Sequence, residues 1–261
     1  MLKLATVGDN CIDYYAAQGK MFPGGNPINV AVYAVRSGLP ASYTGAVGND
    51  EYGSFMLKAL SEKGVDASHV QILPGKTAVT QVELVDGERV FGDYDEGVLA
   101  DFVISDEDID FFCGHALLHT GLWGNAENDL PRIKARGLSV SFDFSTAKEG
   151  TVLDKALPWT DYAFFSGEKE SEDLLTFMRD VFSKGPRVVT VTLGGNGSIA
   201  YDGNVFFRQG VVPTTVVDTM GAGDSFIAGF CKGIIEGKPI RECMKMGSEC
   251  AAVTLAYMGA W

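Results

Sequence analysis

At 261 residues with 46% hydrophobic content, the chain is long enough to bury a full core as one large α/β domain. Its 34 acidic residues against 21 basic ones, a net charge of −13, make a surface that repels nucleic acid and anionic membranes and argue against both as partners. Five cysteines (Cys11, Cys113, Cys231, Cys243, Cys250), odd in number and without a C-x-x-C pair, predict reduced, mostly buried thiols of a cytoplasmic protein.

Taken in order, Met1 to Asp9 is too short for a signal peptide and reads as a first strand over Leu2–Val7, ended by Gly8-Asp9-Asn10. No apolar run approaches the ~18 residues of a membrane span. A second strand starts at Cys11, and Asp13, next to Tyr14 and Tyr15, is either a turn or edge carboxylate or a ligand group. Phe22–Val32 is a glycine turn (Gly24, Gly25) running into a helix, with Pro27 in its first turn and Ile28, Val32 and Val35 at helical spacing. Asn26 and Asn29, three apart, share a face near that helix start, where amides can hydrogen-bond the hydroxyls of a ligand such as a sugar.

Ala41–Val47 is a predicted strand and Glu51–Lys63 a helix. Residues 77–85 and 89–94 alternate with period two around Asp86-Gly87, a two-residue hairpin turn. With a strand near Asp13–Lys20 they predict a small exposed sheet, whose free edges a second subunit would satisfy. The acidic run Asp93, Asp95, Glu96 and Asp101 is a solvated loop or a site for a cationic group. From residue 102, strands are expected at 116–121, 139–144, 162–166 and 187–193, and helices at 105–113, 126–136, 148–157 and 169–184. That alternation implies a mainly parallel sheet covered on both faces, with ligands beyond the carboxyl ends of its strands. A β-rich stretch over 198–217 and helices at 222–236 and 239–257 close the sequence.

The stretch Val216–Phe226 reads as strand, tight glycine turn and helix start. Helix N-terminal amides and two glycines favour a bound anion. Asp224 is then a helix cap or a base beside the anion, and Asp218 a group placing a cation. Three other signals fall away. Gly75-Lys76-Thr77 lacks the rest of a Walker A loop, because position 70 is Val and a strand follows. Gly195–Ala200 fits G-x-G-x-x-A but continues as Tyr201-Asp202-Gly203 rather than a helix, which removes a dinucleotide-binding oxidoreductase. His115 and His119 have no third metal ligand beside them in sequence.

Asp218-Thr219-Met220-Gly221-Ala222-Gly223-Asp224 resembles, without a mismatch, the C-terminal signature of the ribokinase-like (pfkB) carbohydrate kinases, and Gly24-Gly25 resembles the N-terminal one. The resemblance spans nearly the whole chain. It implies a single three-layer α/β sandwich over residues 1–261, with a mainly parallel central sheet and a β-sheet lid formed by about 12–22 and 77–97. It implies ATP and Mg²⁺ as cofactors, a homodimer through the lid, and leaves open a monovalent cation. Asp224 would be the base, with Gly221, Ala222 and Gly223 holding the migrating phosphate. Asp13, Gly24, Gly25 and Asn29, joined by Asn26, Tyr94 and Glu96, would hold the sugar. Thr192, Gly194, Gly197, Gly221 and Gly223 would face the nucleotide.

One feature departs from the pattern. The Asn-x-x-Glu metal motif stands here as Gly167-Glu168-Lys169-Glu170, leaving Glu170 and Asp218 as metal candidates, with Glu168 able to share the role. Within the family, residues 8–13, 90–97 and 259–261 resemble the bacterial fructoselysine 6-kinases, which act on the 6-hydroxyl of an Amadori sugar. A fructokinase or another fructosamine kinase is the alternative, as is a non-catalytic sugar-binding regulatory protein.

Overall fold

Neighbouring apolar residues in the short strands, Leu4-Ala5, Leu117-Leu118, Phe164-Phe165 and Val188-Val189, point to opposite sides of one sheet, because strand side chains alternate. Both faces must therefore be covered, and two separate hydrophobic cores do so. The computed structural model describes residues 2–85 and 88–261. In chain order it runs β1 (Leu4–Val7), β2 (Cys11–Tyr15), β3 (Lys20–Gly24), α1 (Asn26–Arg36), β4 (Ala41–Gly48), α2 (Glu51–Glu62), β5 (Asp66–Leu73), β6 (Val79–Val85) and β7 (Glu88–Asp95). It continues α3 (Asp106–Phe112), β8 (Leu117–Gly121), α4 (Leu130–Ala135), β9 (Val140–Asp143), α5 (Thr151–Ala156), β10 (Tyr162–Ser166) and α6 (Glu172–Ser183). Then come β11 (Val188–Thr192), β12 (Ser198–Tyr201), β13 (Phe206–Gln209), α7 (Ala222–Ile235) and α8 (Ile240–Leu255).

The main sheet has nine strands in the order β13-β12-β11-β10-β9-β8-β1-β4-β5. All its pairs are parallel except β11–β12 and β12–β13. One core joins α1, α2, α7 and α8 to one face, and the other joins α3, α4, α5 and α6 to the opposite face. The strand order reverses beside β1, whose neighbours are β4 on one side and β8 on the other. The loops after β1 and β8 diverge there, and a crevice opens at the carboxyl ends of the strands.

A second sheet of four strands, order β3-β2-β6-β7, stands apart from the first. It is the exposed sheet expected from 12–22 and 77–97, with two differences. The single strand expected near 13–20 is a pair, split by a short 3₁₀ turn that ends on Gly19. The centre of the sheet, β2 against β6, is parallel. The Asp86-Gly87 hairpin turn lies outside the described residues.

Two other expectations need correction. β5 was not expected as a strand; it is an edge strand whose residues are all half-buried or exposed, so it carries no clean apolar alternation. Val216 and Val217 do not end a strand. Residues 210–217 are irregular, the N–H of Val217 donates to Leu255 O at 2.8 Å, and both valine side chains are exposed.

Candidate active site

Most helices with a polar N-cap close it on themselves. Asp50 accepts from Gly53 N, Ser105 from Asp108 N and Ser171 from Leu174 N. Helix α7 has no such cap: it starts on Gly221, and although the Ala222 N–H reaches back to Thr219 O at 3.3 Å, no side chain takes up the amides of its first turn. Gly221 sits at φ 72°, and a Cβ there would come within 2.0 Å of Tyr33 Oη. Gly223 has open space around it. Only glycine fits the first position, and the second is kept clear for a close approach.

Asp224 lies in the first turn of α7 but caps nothing. Its Oδ1 accepts from Asn26 Nδ2 at 2.8 Å and its Oδ2 from Asn29 Nδ2 at 2.7 Å, both from the start of α1. The two helix N-termini are thus tied together through one carboxylate. The second hydrogen of Asn26 Nδ2 goes to Asp143 Oδ2 at 2.9 Å, at the end of β9, and the backbone N–H of Asn26 goes to Asp9 Oδ2 at 3.2 Å, just past β1. With its amide nitrogen given to two carboxylates, Asn26 turns Oδ1 to His119 Nε2 at 3.0 Å. That nitrogen must donate, and because burial keeps the imidazole neutral His119 Nδ1 accepts from Ser141 Oγ at 2.9 Å. Burial depresses its pKa to about 3, in keeping with that tautomer.

Three carboxylates therefore surround one asparagine. Burial, and secondarily the charge of Asp224, pushes Asp143 up to about 7. Burial pushes Asp9 up to about 6 against the bond from Asn26. Burial raises Asp224 as well, opposed by its bonds to Asn29 and Asn26. The bonds from the two asparagines favour the charged form of Asp224.

Beside this cluster lies a cleft of about 420 Å³, largely apolar, lined by Thr192, Gly194, Gly197, Ala222, Gly223 and Leu255 among others. Four of the five residues expected to face a nucleotide line it; Gly221 stands behind, as the helix cap. Its apolar walls and uncapped amides suit a flat base and a phosphate chain. Asp13 is buried on β2 against Gly24, where a Cβ would meet its Oδ2 at 2.8 Å, and Gly25 starts α1 at φ 115°. Tyr94 is half exposed on β7, its phenol raised by partial burial and next by the charge of Asp9. Glu96 is half-buried and accepts from Asn125 Nδ2 at 3.2 Å.

The metal candidates are occupied otherwise. Glu170 is chelated by Arg208, with Nε 2.9 Å and Nη2 2.5 Å from its two oxygens, and lies at the surface. Asp218 accepts from Met220 N at 3.0 Å and from Gly259 N at 2.8 Å, bracing the turn before α7 against residues 257–261. Among the described residues no three His, Cys, Asp or Glu side chains gather as a metal site. Asp9, Asp143, His119 and Trp261 were not among the sequence candidates. The first two follow a rule that the sequence carries, since both stand at the carboxyl ends of parallel strands where such sheets bind ligands.

The pfkB family carbohydrate kinase model matches residues 2–137 and 159–261. The chain belongs to the pfkB family of carbohydrate kinases. This pfkB kinase is 47% identical over 261 residues to the fructoselysine 6-kinases of Shigella flexneri and of Escherichia coli K12, covering all of each chain. It is 38% identical over 265 residues to fructosamine kinase FrlD of Bacillus subtilis, covering all of this chain and 93% of that protein. Its fold is ribokinase-like. The ribokinase of Arabidopsis thaliana complexed with ribose and ATP superposes with a TM-score of 0.91 at 22% identity, over 99% of this chain and 94% of that one. The ribokinase of Thermotoga maritima superposes with 0.83, also at 22% identity, over 100% and 95%. As a carbohydrate kinase the chain is an enzyme that phosphorylates a sugar.

Proposed function

We propose that this kinase transfers the γ-phosphoryl group of ATP to the 6-hydroxyl of a fructosamine, with fructoselysine as the substrate and Asp224 as the base. The observation that supports it best is the carboxylate of Asp224, held by Asn26 and Asn29 at the meeting of two helix N-termini and next to the apolar cleft. Asp224 accepts the O6 proton as that oxygen bonds to phosphorus and the bond from phosphorus to the β-phosphate oxygen breaks, releasing ADP. Amides of Gly221 and Gly223, joined by that of Ala222 once it leaves Thr219 O, face the charge that develops on the phosphoryl oxygens. Mg²⁺, when bound, would supply neutralisation of the phosphate charge. Glu170 and Asp218 are its protein candidates only if Arg208 and the backbone donors release them. A monovalent cation remains a separate activator to test.

The substrate rests on the 47% and 38% identical relatives, whose printed names are fructoselysine 6-kinase and fructosamine kinase. Fructoselysine carries an amino-acid tail with an ammonium group, and Asp93, Asp95 and Glu96 at the exit of the small sheet attract it at short range. Asp13, Gly24, Gly25, Asn29 and Tyr94 surround the sugar, with the four-stranded sheet as lid. The reading places the enzyme in the cytoplasm as a homodimer; no helix of the described residues is long and apolar enough to cross a membrane.

The test is a coupled ADP-release assay with fructoselysine, other fructosamines and fructose, with the product's phosphate position read by NMR. A kcat/KM for fructoselysine well above that for fructose, with phosphate on O6, is expected. Equal efficiency on both sugars would remove tail recognition, and no ADP with any ketose would favour a silent sugar-binding protein.

A further inference from the structure

Asn26 and Asn29 both donate to Asp224, yet their amides are oriented by different means. Asn26 gives its two amide hydrogens to two carboxylates, and its Oδ1 meets His119 Nε2 at 3.0 Å. Asn29 has one carboxylate, at 2.7 Å, and its other side meets Trp261, whose Nε1 lies 2.7 Å from Asn29 Oδ1. An indole N–H donates and never accepts. It therefore requires the carbonyl of Asn29 on its own side and delivers the NH₂ group to Asp224.

We propose that Trp261 is a positioning residue for phosphoryl transfer, its indole N–H locking the Asn29 amide so that Nδ2 donates to Asp224. The inference rests on Asp224 acting as base. The segment that carries the indole is built to hold it still. Gly259 N donates to Asp218 Oδ2 at 2.8 Å, in the turn before α7. Ala260 is buried, and its carbonyl accepts from Tyr33 Oη at 2.6 Å and from Tyr257 Oη at 2.8 Å. Arg36 lies over the Tyr33 ring at 4.6 Å and bonds Tyr257 Oη and Ser225 Oγ, the residue after Asp224. Lys63 Nζ stands 5.7 Å from the centre of the Trp261 ring. Residues 257–261 thereby connect the anion-binding turn, helix α1 and the base.

Without the indole donor, Asn29 is free to turn its carbonyl toward Asp224, exchanging an attraction for a repulsion. The bond from Asn29 favours the charged carboxylate, so weakening it moves the acid limb of the kcat profile to higher pH. The other groups facing Asp224 are Asp143 from β9, Asp9 after β1, Tyr33 on α1 and, through Asn26, neutral His119 on β8. None of them touches the indole bond.

The variant is Trp261→Phe, which keeps an aromatic ring and removes the N–H. Expected are a kcat lowered about 10-fold, the size of one charge-assisted hydrogen bond, an acid limb shifted upward, and KM values for ATP and sugar within about twofold of the parent. Tyr257→Phe, which removes another bond of the same segment without touching Asn29, keeps the parent's acid limb. A Trp261→Phe enzyme with the parent's kcat and acid limb overturns the proposal. An equal shift of the limb in Tyr257→Phe also overturns it, by assigning the effect to the segment's packing. A readout independent of turnover is the indole ¹⁵N–H signal of the full-length protein. The signal missing in Trp261→Phe should exchange slowly with solvent in the parent and faster in Asn29→Ala; free exchange in the parent overturns the contact itself. If the parent phosphorylates no sugar, the assigned function fails while this exchange measurement still decides the hydrogen bond.

Discussion

Asp224 could have been an ordinary helix cap on its sequence position, and what separates cap from base is where its two oxygens point. Both accept from asparagine side chains of another helix, and α7 is left without a side-chain cap. Replacing a base lowers rates by about 10² to 10⁴; Asp224→Asn is expected to lose turnover in that range while calorimetry still detects sugar binding, and near-normal turnover would remove Asp224 from the chemistry. Asp143 and Asp9 give a second test. Their pKa values are raised in the folded protein, to about 7 and about 6, from the ordinary aspartate value of 3.8. A raised pKa means stability that is complete below the unfolded value and lost as pH climbs through the folded one. The ligand-free enzyme should therefore lose stability between about pH 4 and pH 7, from linkage alone. Asp143→Asn should shrink the difference between denaturant melts at pH 5 and pH 8 by about 2 kcal/mol. An unchanged difference would mean that Asp143 is charged throughout.

At the scale of the element, the anion turn divides its glycines by task. Gly221→Ala places a Cβ at positive φ and against Tyr33 Oη, so loss of about 2–4 kcal/mol of stability is expected, together with loss of activity. Gly223→Ala meets nothing in the protein and should fold with a melting temperature near the parent's. If the Gly223 amide lies against the nucleotide, that same variant raises KM for ATP; an unchanged KM would move the phosphate away from it. The turn was legible because its residues are local: two glycines, an aspartate and a helical apolar face lie within a few positions. β5 was not, because an edge strand shares its exposed side with water and shows no alternation. Val216-Val217 misled for the opposite reason, as β-branched residues that serve an irregular segment beside the cleft.

For the whole molecule, the decisive feature is the strand order that sets β1 between β4 and β8 and opens a crevice at their carboxyl ends. Into it come Asp9 from the loop after β1, His119 from β8, Asp143 from β9, the asparagines of α1 and Asp224 of α7. The small sheet leaves two edge strands, β3 and β7, with Met21 and Tyr94 exposed on them. If a second copy covers this sheet, light scattering should return twice the mass of one chain, and Met21→Glu should shift the population toward monomer. A single-chain mass at micromolar concentration would leave the small sheet without a second copy to cover it.

What the sequence determined by itself was the class of fold, the two glycine turns and the carboxylate that follows the second one, since each is written in short-range pattern: period two, period 3.6, and residue types at fixed offsets. Tertiary structure alone decided that Asn26 and Asn29 grip Asp224, that Asp9 and Asp143 share its surroundings, that Arg208 occupies Glu170, and that Trp261 reaches Asn29 across 232 positions of chain. Such contacts follow from the order of strands in a sheet and from the direction of single side chains, and no local periodicity encodes either.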